Sequence, residues 1–454
     1  MAHAQVRPRG EGSAGDDGVT RVATAESAGL ATHDRDTALS GTVVRRLSAE
    51  REEPAWMLRF RLRALDALET SSEPGASKLR SAIDAEDVVS DRVGVRPRPA
   101  SPRGYSFADA VAESERAYCL VRDELESLGV LFMGMDEAVR EHSGTLQELL
   151  GSVVPPEDDP SAALNGAVWS GGTFLYVPPG VRVQVPLQPE IRADFRKTEP
   201  FERSLLVAGP GSSVEFIDGC TAPVLTSAAL HASVVEVIAR EGASVKCITL
   251  QNWSRDVDNY VSKRAHVSAG AAVEWLEANL GARHNVKAPS VHLLGKGARA
   301  EILNVGFAGR GQHQEIGADV AHMASSTTSR VEARLVLQQG GRASYGPRLS
   351  ASPGTVQVSS VSEWSALLLD ATSACDVQPS LSFDGADANA DHRGSVERLR
   401  EDALFYLTSR GLSRKDATRL VVRGVFRPFT RRLPLEYAVE VDRLVELQLE
   451  GAIG

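Results

Sequence analysis

Between about Ala163 and Phe383 the chain is written in short runs. Val, Ile, Leu and Thr alternate there with polar residues, and glycine breaks the runs. Alternation of period two predicts strands with one buried face. One unit recurs: Gly211-Ser-Ser-Val214-Glu-Phe216, Gly242-Ala-Ser-Val245-Lys-Cys247, Gly270-Ala-Ala-Val273-Glu-Trp275 and Gly297-Ala-Arg-Ala300-Glu-Ile302. Its glycines lie 27 to 31 residues apart. A nearly fixed period of that size predicts a stacked solenoid, in which each coil covers the apolar face of the next. The competing reading is a large sandwich with evenly spaced hairpins.

The flanks carry a different period. Residues 1–37 have no apolar rhythm and read as a disordered tail. Residues 38–162 read as an N-terminal helical region with a loose linker near 70–105. Within it, Trp56–Leu65 predicts an amphipathic helix, Phe107–Leu128 a second, and Asp136–Arg140 the start of a third. The β-rich core is assigned to 163–394 and a helical domain to 395–454. Helices are expected over Val396–Ser409, Arg414–Arg423 and Pro434–Glu450. Gly411 and Gly424 stand at their ends, and Pro428 and Pro434 bracket a turn. The expected fold is mainly β, with helical ends.

Composition narrows the function. The net charge of -10 argues against nucleic acid as a general partner. The start of the chain has no apolar signal-like run and no stretch is long enough to span a bilayer, so no membrane role and a cytoplasmic location are expected. The four cysteines, Cys119, Cys220, Cys247 and Cys375, form no CxxC, which fits a reducing compartment. No phosphate-binding Gly-x-x-x-x-Gly-Lys motif occurs, so no ATP is expected on this chain. The common hydrolase signatures are absent too.

Cys220 is the residue with most chemical promise. It stands in Gly219-Cys220-Thr221-Ala222-Pro223, and Gln251-Asn252-Trp253 follows about one coil later. Stacking places those polar and aromatic groups above or below the thiol. A reactive thiolate needs a cationic or hydrogen-bonding escort, and Arg192, Arg203 and Lys263 lie in the same body. Cys119 and Cys247 sit at apolar positions and read as core residues. His313 and His322 read as hydrogen-bonded histidines. His392, in Asp391-His392-Arg393, lies near Cys375 in sequence, and a Cys–His pair suits a soft metal or an iron–sulfur centre.

Long stretches resemble the SufB/SufD family of iron–sulfur cluster assembly scaffolds, and most of the chain resembles SufB. The stretches are Glu53–Leu58, Ala167–Val181, Phe201–Leu205, Gly219–Pro223, Leu230-His231, Gln251–Ser254, Gly311–Gln314, Leu404–Gly411 and Leu433–Ala438. The resemblance covers nearly everything from about residue 40 onward. It implies a right-handed parallel β-helix between helical segments, in a scaffold rather than an enzyme. It makes Cys220 the sulfur acceptor, with Glu202, Gln251, Trp253, Lys263 and Arg192 along the sulfur path. The implied partners are a SufC-like ATPase on the C-terminal helices, a SufD-like subunit or a second copy of the chain, and a cysteine desulfurase system as sulfur source. A transient iron–sulfur cluster, and reduced flavin in the assembled complex, are the implied ligands.

The departures fall at one place. Trp364 stands where the family has a second cysteine, and Arg393 follows His392 where the family has glutamate. Neither side chain ligates iron. The remaining candidates for a cluster site are His392, Cys375 and Asp391, with His392 as the metal ligand. Two functions follow: a scaffold that builds a cluster, or a divergent SufB/SufD paralogue that carries sulfur or acts as a structural partner without building one. A polysaccharide-active solenoid enzyme rests on fold analogy alone, with no acid/base pair to support it.

Overall fold

The computed structural model describes residues 39–73, 75–81, 94–99, 124–192, 201–221 and 229–451. The expected tail, Cys119 and most of the expected Phe107–Leu128 helix lie outside these residues. Three helices come first: α1 (Gly41–Glu50), α2 (Ala55–Thr70) and α3 (Ala76–Ser81). Helix α2 contains the expected Trp56–Leu65 segment. Strand β1 (Gly94–Pro99) and helix α3 both fall where the sequence reads as a loose linker. The two prolines of β1 disguise it, since proline is tolerated only at a sheet edge; there β1 pairs antiparallel with β4 (Leu187–Arg192).

Strand β2 (Leu131–Gly134) leads into α4 (Met135–Glu141) and α5 (Ser143–Leu149). Helix α6 (Pro160–Val168) occupies residues that the alternation had placed at the start of the β region. Its signal is local. The Asp159 carboxylate caps it by accepting from the backbone N–H of Ser161 (2.7 Å) and of Ala162 (2.9 Å), and Pro160 stands at its first position. Helices α2 and α6 pack with β5 (Phe201–Ala208) and β7 (Ala229–Ala239) in one apolar cluster that includes Phe60, Ala64, Trp169 and Leu205. Buried ion pairs pin this region. The Glu236 carboxylate accepts from Arg203 Nη2 at 2.7 Å and from the backbone N–H of Gly151, Val153 and Val154.

The body is a parallel β-solenoid of about seven turns. Besides β3 (Thr173–Val177), it comprises β6 (Ser213–Thr221), β8 (Ser244–Trp253), β9 (Val257–Val267), β10 (Ala272–Gly281), β11 (His284–Lys287) and β12 (Ser290–Leu293). There follow β13 (Arg299–Ala308), β14 (His313–His322), β15 (Thr328–Leu337), β16 (Arg342–Ala351) and β17 (Val358–Leu368). The last strands are β18 (Ala374–Val377), β19 (Ser380–Ser382) and β20 (Ala388–Arg398). One sheet runs β1-β4-β6-β8-β10-β13-β15-β17-β20, and the facing sheet is built on β18-β16-β14-β11-β9-β7-β5-β3-β2. Pro289, which has no N–H to donate, separates β11 from β12 within one coil.

The recurring glycines make the turn between the sheets. Gly211, Gly242, Gly270 and Gly297 all have φ between 65° and 75°, a left-handed conformation that glycine adopts without strain. The same turn in later coils is taken by Ser326 (φ 60°) and Gln357 (φ 57°), which is why the glycine pattern fades there.

The chain leaves the solenoid later than the periodicity predicts. Strand β20 holds parallel register with β17 through Arg398, so the first C-terminal helix is α7 (Glu401–Ser409), not Val396–Ser409. Helix α8 (Arg414–Thr430) runs through both Gly424 and Pro428. Its buried Val422, Phe426 and Phe429 join a cluster with Ile248, Leu276 and Leu303 on the outer face of the first sheet. That burial exceeds the penalty of about 1 kcal/mol for an interior glycine. Helix α9 (Leu435–Glu450) completes the domain and ends at Gly451, which is left-handed (φ 69°).

Candidate functional site

Stacking turns the sequence alternation into interior columns. Counted from each turn glycine, the third and fifth residues are apolar and inward: Val214 and Phe216, Val245 and Cys247, Val273 and Trp275, Ala300 and Ile302. Cys247 is therefore a core thiol stacked between Phe216 and Trp275, and burial pushes its pKa far up. The seventh and ninth residues are a different matter. They give the columns Asp218–Thr249–Glu277–Asn304 and Gln251–Asn279–Gly306. The facing sheet contributes His231–Asn259–Asn285–Gln314. The backbone of Cys220 thus pairs with Gln251, as the one-coil spacing predicts.

These residues form one buried polar network. Lys263 Nζ donates to Thr249 Oγ1 at 2.6 Å and lies 3.4 Å from Glu277 Oε1 and 3.8 Å from Asp218 Oδ2. Lys287 pairs with the other oxygen of Glu277 and donates to Gln251 Oε1 at 3.2 Å. Two carboxylates therefore face two ammonium groups. Burial depresses the pKa of Lys287 to about 8, although Glu277 opposes it. Burial also works against the charge of Lys263, but Glu277 and Asp218 outweigh it and raise its pKa. Asn259 Nδ2 donates to Gln251 Oε1 (3.2 Å) and to Asn285 Oδ1 (2.6 Å); Asn285 Nδ2 donates to Gln314 Oε1 (2.7 Å). Trp253 packs against His231 with ring centres 4.4 Å apart and the planes tilted by 38°.

Of the residues expected on the sulfur path, Gln251, Trp253 and Lys263 are buried in this network. Glu202 is buried on β5, in register with Ser233 of β7. Arg192 ends β4, where its backbone pairs with Gly94 of β1. Arg203 turns to the other face of β5, toward Glu236 and the N-terminal helices. Asp218, Asn259, Glu277 and Lys287 are additions that the sequence motifs do not single out. The signal was present: Asp218, Thr249, Glu277 and Asn304 each stand seven residues after a turn glycine.

The expected cluster-site residues lie at the other end. Strand β20 is six strand spacings from β6, roughly 30 Å. The same columns continue there with different chemistry. Asn304 is followed by Ala333, Trp364 and Gly394. A Cβ on Gly394 would lie 1.9 Å from Trp364 Nε1, so glycine makes room for the indole. Cys375, in register with Ala343, packs with Trp364 against Ile316, Leu335 and Tyr345. Burial, with Asp376 nearby, pushes its pKa up to about 11.

His392 is in register with buried Ser362, and burial lowers its pKa. Asp391, its neighbour, faces outward and lies 3.7 Å from Arg393. Arg393 pairs with Glu363. Among the described residues no three His, Cys, Asp or Glu side chains gather in a metal-holding group. His322 has both ring nitrogens hydrogen-bonded, to Thr327 and Ser329, and His313 bonds Ser344, as the sequence predicts for both.

A parallel β-solenoid with helical ends and a charged interior defines a solenoid protein with a buried polar site. Sequence comparison gives the family. The SufBD core domain of the SUF system for FeS cluster assembly matches residues 192–425, and the SufBD protein N-terminal region matches 117–189. The chain is 35% identical to the iron–sulfur cluster assembly protein SufB of Bacillus subtilis, over 93% of this chain and 97% of that one. It is 36% identical, with the same coverage, to an iron–sulfur cluster assembly SufBD family protein of Staphylococcus haemolyticus. A SufBD family protein of Staphylococcus aureus is also 36% identical, over 92% of this chain and 94% of its own. The chain belongs to the SufBD family of SUF-system iron–sulfur cluster assembly proteins. No described helix is long and apolar enough to cross a membrane.

Proposed function

We propose that this protein is the scaffold of an iron–sulfur assembly complex and that Cys220 is its sulfur acceptor. The observation that carries the reading is the register of Cys220 with Gln251, at the head of a buried, charge-balanced polar network. The buried ammonium groups of Lys263 and Lys287, the latter bonded to Gln251, support this reading, because a cation kept from water favours a sulfur anion. Glu202, Trp253 and Lys263 line the same stretch of the interior, and Arg192 belongs with them by resemblance.

The C-terminal helices are the docking region for a SufC-like ATPase. Supporting this, they expose large apolar side chains, including Phe405 (74% exposed) and Leu435 (76% exposed). Strand β20 ends its sheet, and an open edge suits pairing with a SufD-like subunit or a second copy. A cysteine desulfurase system supplies the sulfur, and reduced flavin, if the complex uses it, supplies electrons.

Trp364 favours a second reading, in which the chain carries sulfur or supports a partner without building a cluster. Its indole fills the position of an expected thiolate and Gly394 accommodates it. The two readings part in one experiment: anaerobic reconstitution of the complex with ferrous iron and a persulfide source. The scaffold reading expects iron and acid-labile sulfide to remain on the complex, with loss of both in Cys220→Ala. Sulfur on Cys220 with no retained iron, and His392 and Cys375 dispensable, would establish the carrier reading instead.

A further inference from the structure

The outer face of the facing sheet carries a cavity that the interior network does not use. It measures about 260 Å³ and lies between the sheet and the N-terminal segment around Asp158. Register builds it. Ser290 of β12 pairs with Arg264 of β9 on one side and with Asp319 of β14 on the other, and Asp319 pairs with Arg348 of β16. One row, Arg264–Ser290–Asp319–Arg348, therefore crosses four strands at steps of about 4.8 Å. Two residues earlier along each strand the row is small: Ser262, Ala288, Gly317 and Gly346. A Cβ on Gly317 would lie 2.9 Å from Ala288 Cβ and 3.1 Å from the Gly346 carbonyl oxygen, so glycine keeps this part of the face low. Leu79, Val154, Tyr260 and Val286 give the cavity an apolar side.

Charges along the row alternate in sign and are paired. Arg264 donates from Nη1 and Nη2 to the two oxygens of Asp158, at 2.8 and 2.7 Å. Arg348 Nη2 lies 3.1 Å from Asp319 Oδ2. Two atoms of the row are left over. Arg264 Nε and Ser290 Oγ are buried, stand on register partners, and have no hydrogen-bond partner among the described residues. Ser290 is only 4% exposed, so its open hydroxyl costs free energy that an occupant of the cavity recovers. The wall also selects the occupant. A phosphate would face Asp158, Asp159 and Asp319, and a metal ion would face the guanidinium groups of Arg264 and Arg348. A ligand with one negative and one positive group meets the row without net repulsion.

We infer that this cavity binds a free α-amino acid with an apolar side chain. Its carboxylate accepts from Arg264 Nε and Ser290 Oγ, and its ammonium group is held by Asp319. An α-amino acid carries its two charged groups within one strand step, as Ser290 and Asp319 do. The two ends of a longer peptide stand too far apart for that spacing. Arg348 is a positioning residue: it is exposed and holds one oxygen of Asp319. The apolar side chain of the ligand lies against Leu79, Val154 and Val286. The site is on the outside of the solenoid and does not involve Cys220, so it stands apart from the sulfur-acceptor reading.

The test uses the full chain and titrates it with L-leucine, L-methionine and L-phenylalanine, read by saturation-transfer NMR on the ligand. Binding is expected at roughly millimolar affinity, the scale for a ligand of so few atoms. Two analogues of leucine lack one charge each: isocaproate has no ammonium group and isopentylamine has no carboxylate. Each should bind about tenfold more weakly than leucine, the scale of one lost hydrogen bond to a charged group. Ser290→Ala should weaken leucine by about tenfold as well. Asp319→Asn keeps the shape and removes the charge, so leucine should lose its advantage over isocaproate. Urea unfolding checks that both variants are folded. The inference is overturned if none of the three amino acids binds, or if isocaproate or isopentylamine binds as well as leucine. It is also overturned if inorganic phosphate displaces leucine, or if the folded variants bind leucine as the wild type does.

Discussion

The two halves of the solenoid interior share one register and differ in almost everything else. In the coils of β6 to β11 the inward columns carry Asp218, Thr249, Glu277, Gln251, Asn279, Asn259, Asn285 and two lysines. In the coils of β15 to β18 the same columns carry Ala333, Leu335, Ala343, Trp364 and Cys375. Backbone pairing continues unchanged through both halves. The fold therefore depends on the turns and the ladder, and the chemistry is set by which side chains stand at a few inward positions per coil. One half is built to hold charge away from water. The other is packed shut, and Trp364 is part of the packing.

The largest effect is expected from Glu277→Ala. It leaves Lys263 and Lys287 without their shared carboxylate inside the solenoid, which costs about 3–5 kcal/mol. Urea unfolding measures it, and a loss below about 1 kcal/mol would show that the network is wet rather than sealed. Leu335→Ala, in the apolar half, should cost about 3 kcal/mol through the cavity it leaves. Its effect on sulfur loading at Cys220 should be nil, because the two halves are chemically separate.

A third test uses pH. His231 and His322 both have pKa values near 4, lowered from 6.5 by burial. Between those values the unfolded chain binds more protons than the folded one. Stability is therefore complete above about pH 6.5 and falls as pH drops toward 4. For His231 alone the loss over that window is about 3 kcal/mol. His231→Phe should flatten the corresponding part of the curve, and an unchanged slope would contradict the burial of the ring. The smallest effect belongs to Arg393→Ala. Its pair with Glu363 is exposed, and unfolding should shift by less than about 0.5 kcal/mol.

Much of the polar half was legible in the sequence. The glycine period predicted the solenoid, and the one-coil spacing put Gln251 beside Cys220. The recurring motif ends at the fifth residue after each glycine, so it does not reach Glu277 two residues further on or its bond to Lys287. The apolar half was harder because Ser326 and Gln357 take the turn that glycine marks elsewhere. Trp364 was visible as a departure, but its fit against Gly394 is a cross-strand contact that no local pattern encodes. The continuation of α8 through Gly424 and Pro428 was likewise set by tertiary burial of Phe426 and Phe429, not by local preference.

The central claim is that sulfur enters at the polar half and nowhere else. It is tested most directly by exposing the intact protein to a persulfide donor and mapping, peptide by peptide, where sulfur lands. The account predicts one added sulfur on the Cys220 peptide and none on those of Cys247 and Cys375, whose thiols burial holds protonated. Sulfur on Cys375 with Cys220 unmodified would contradict it.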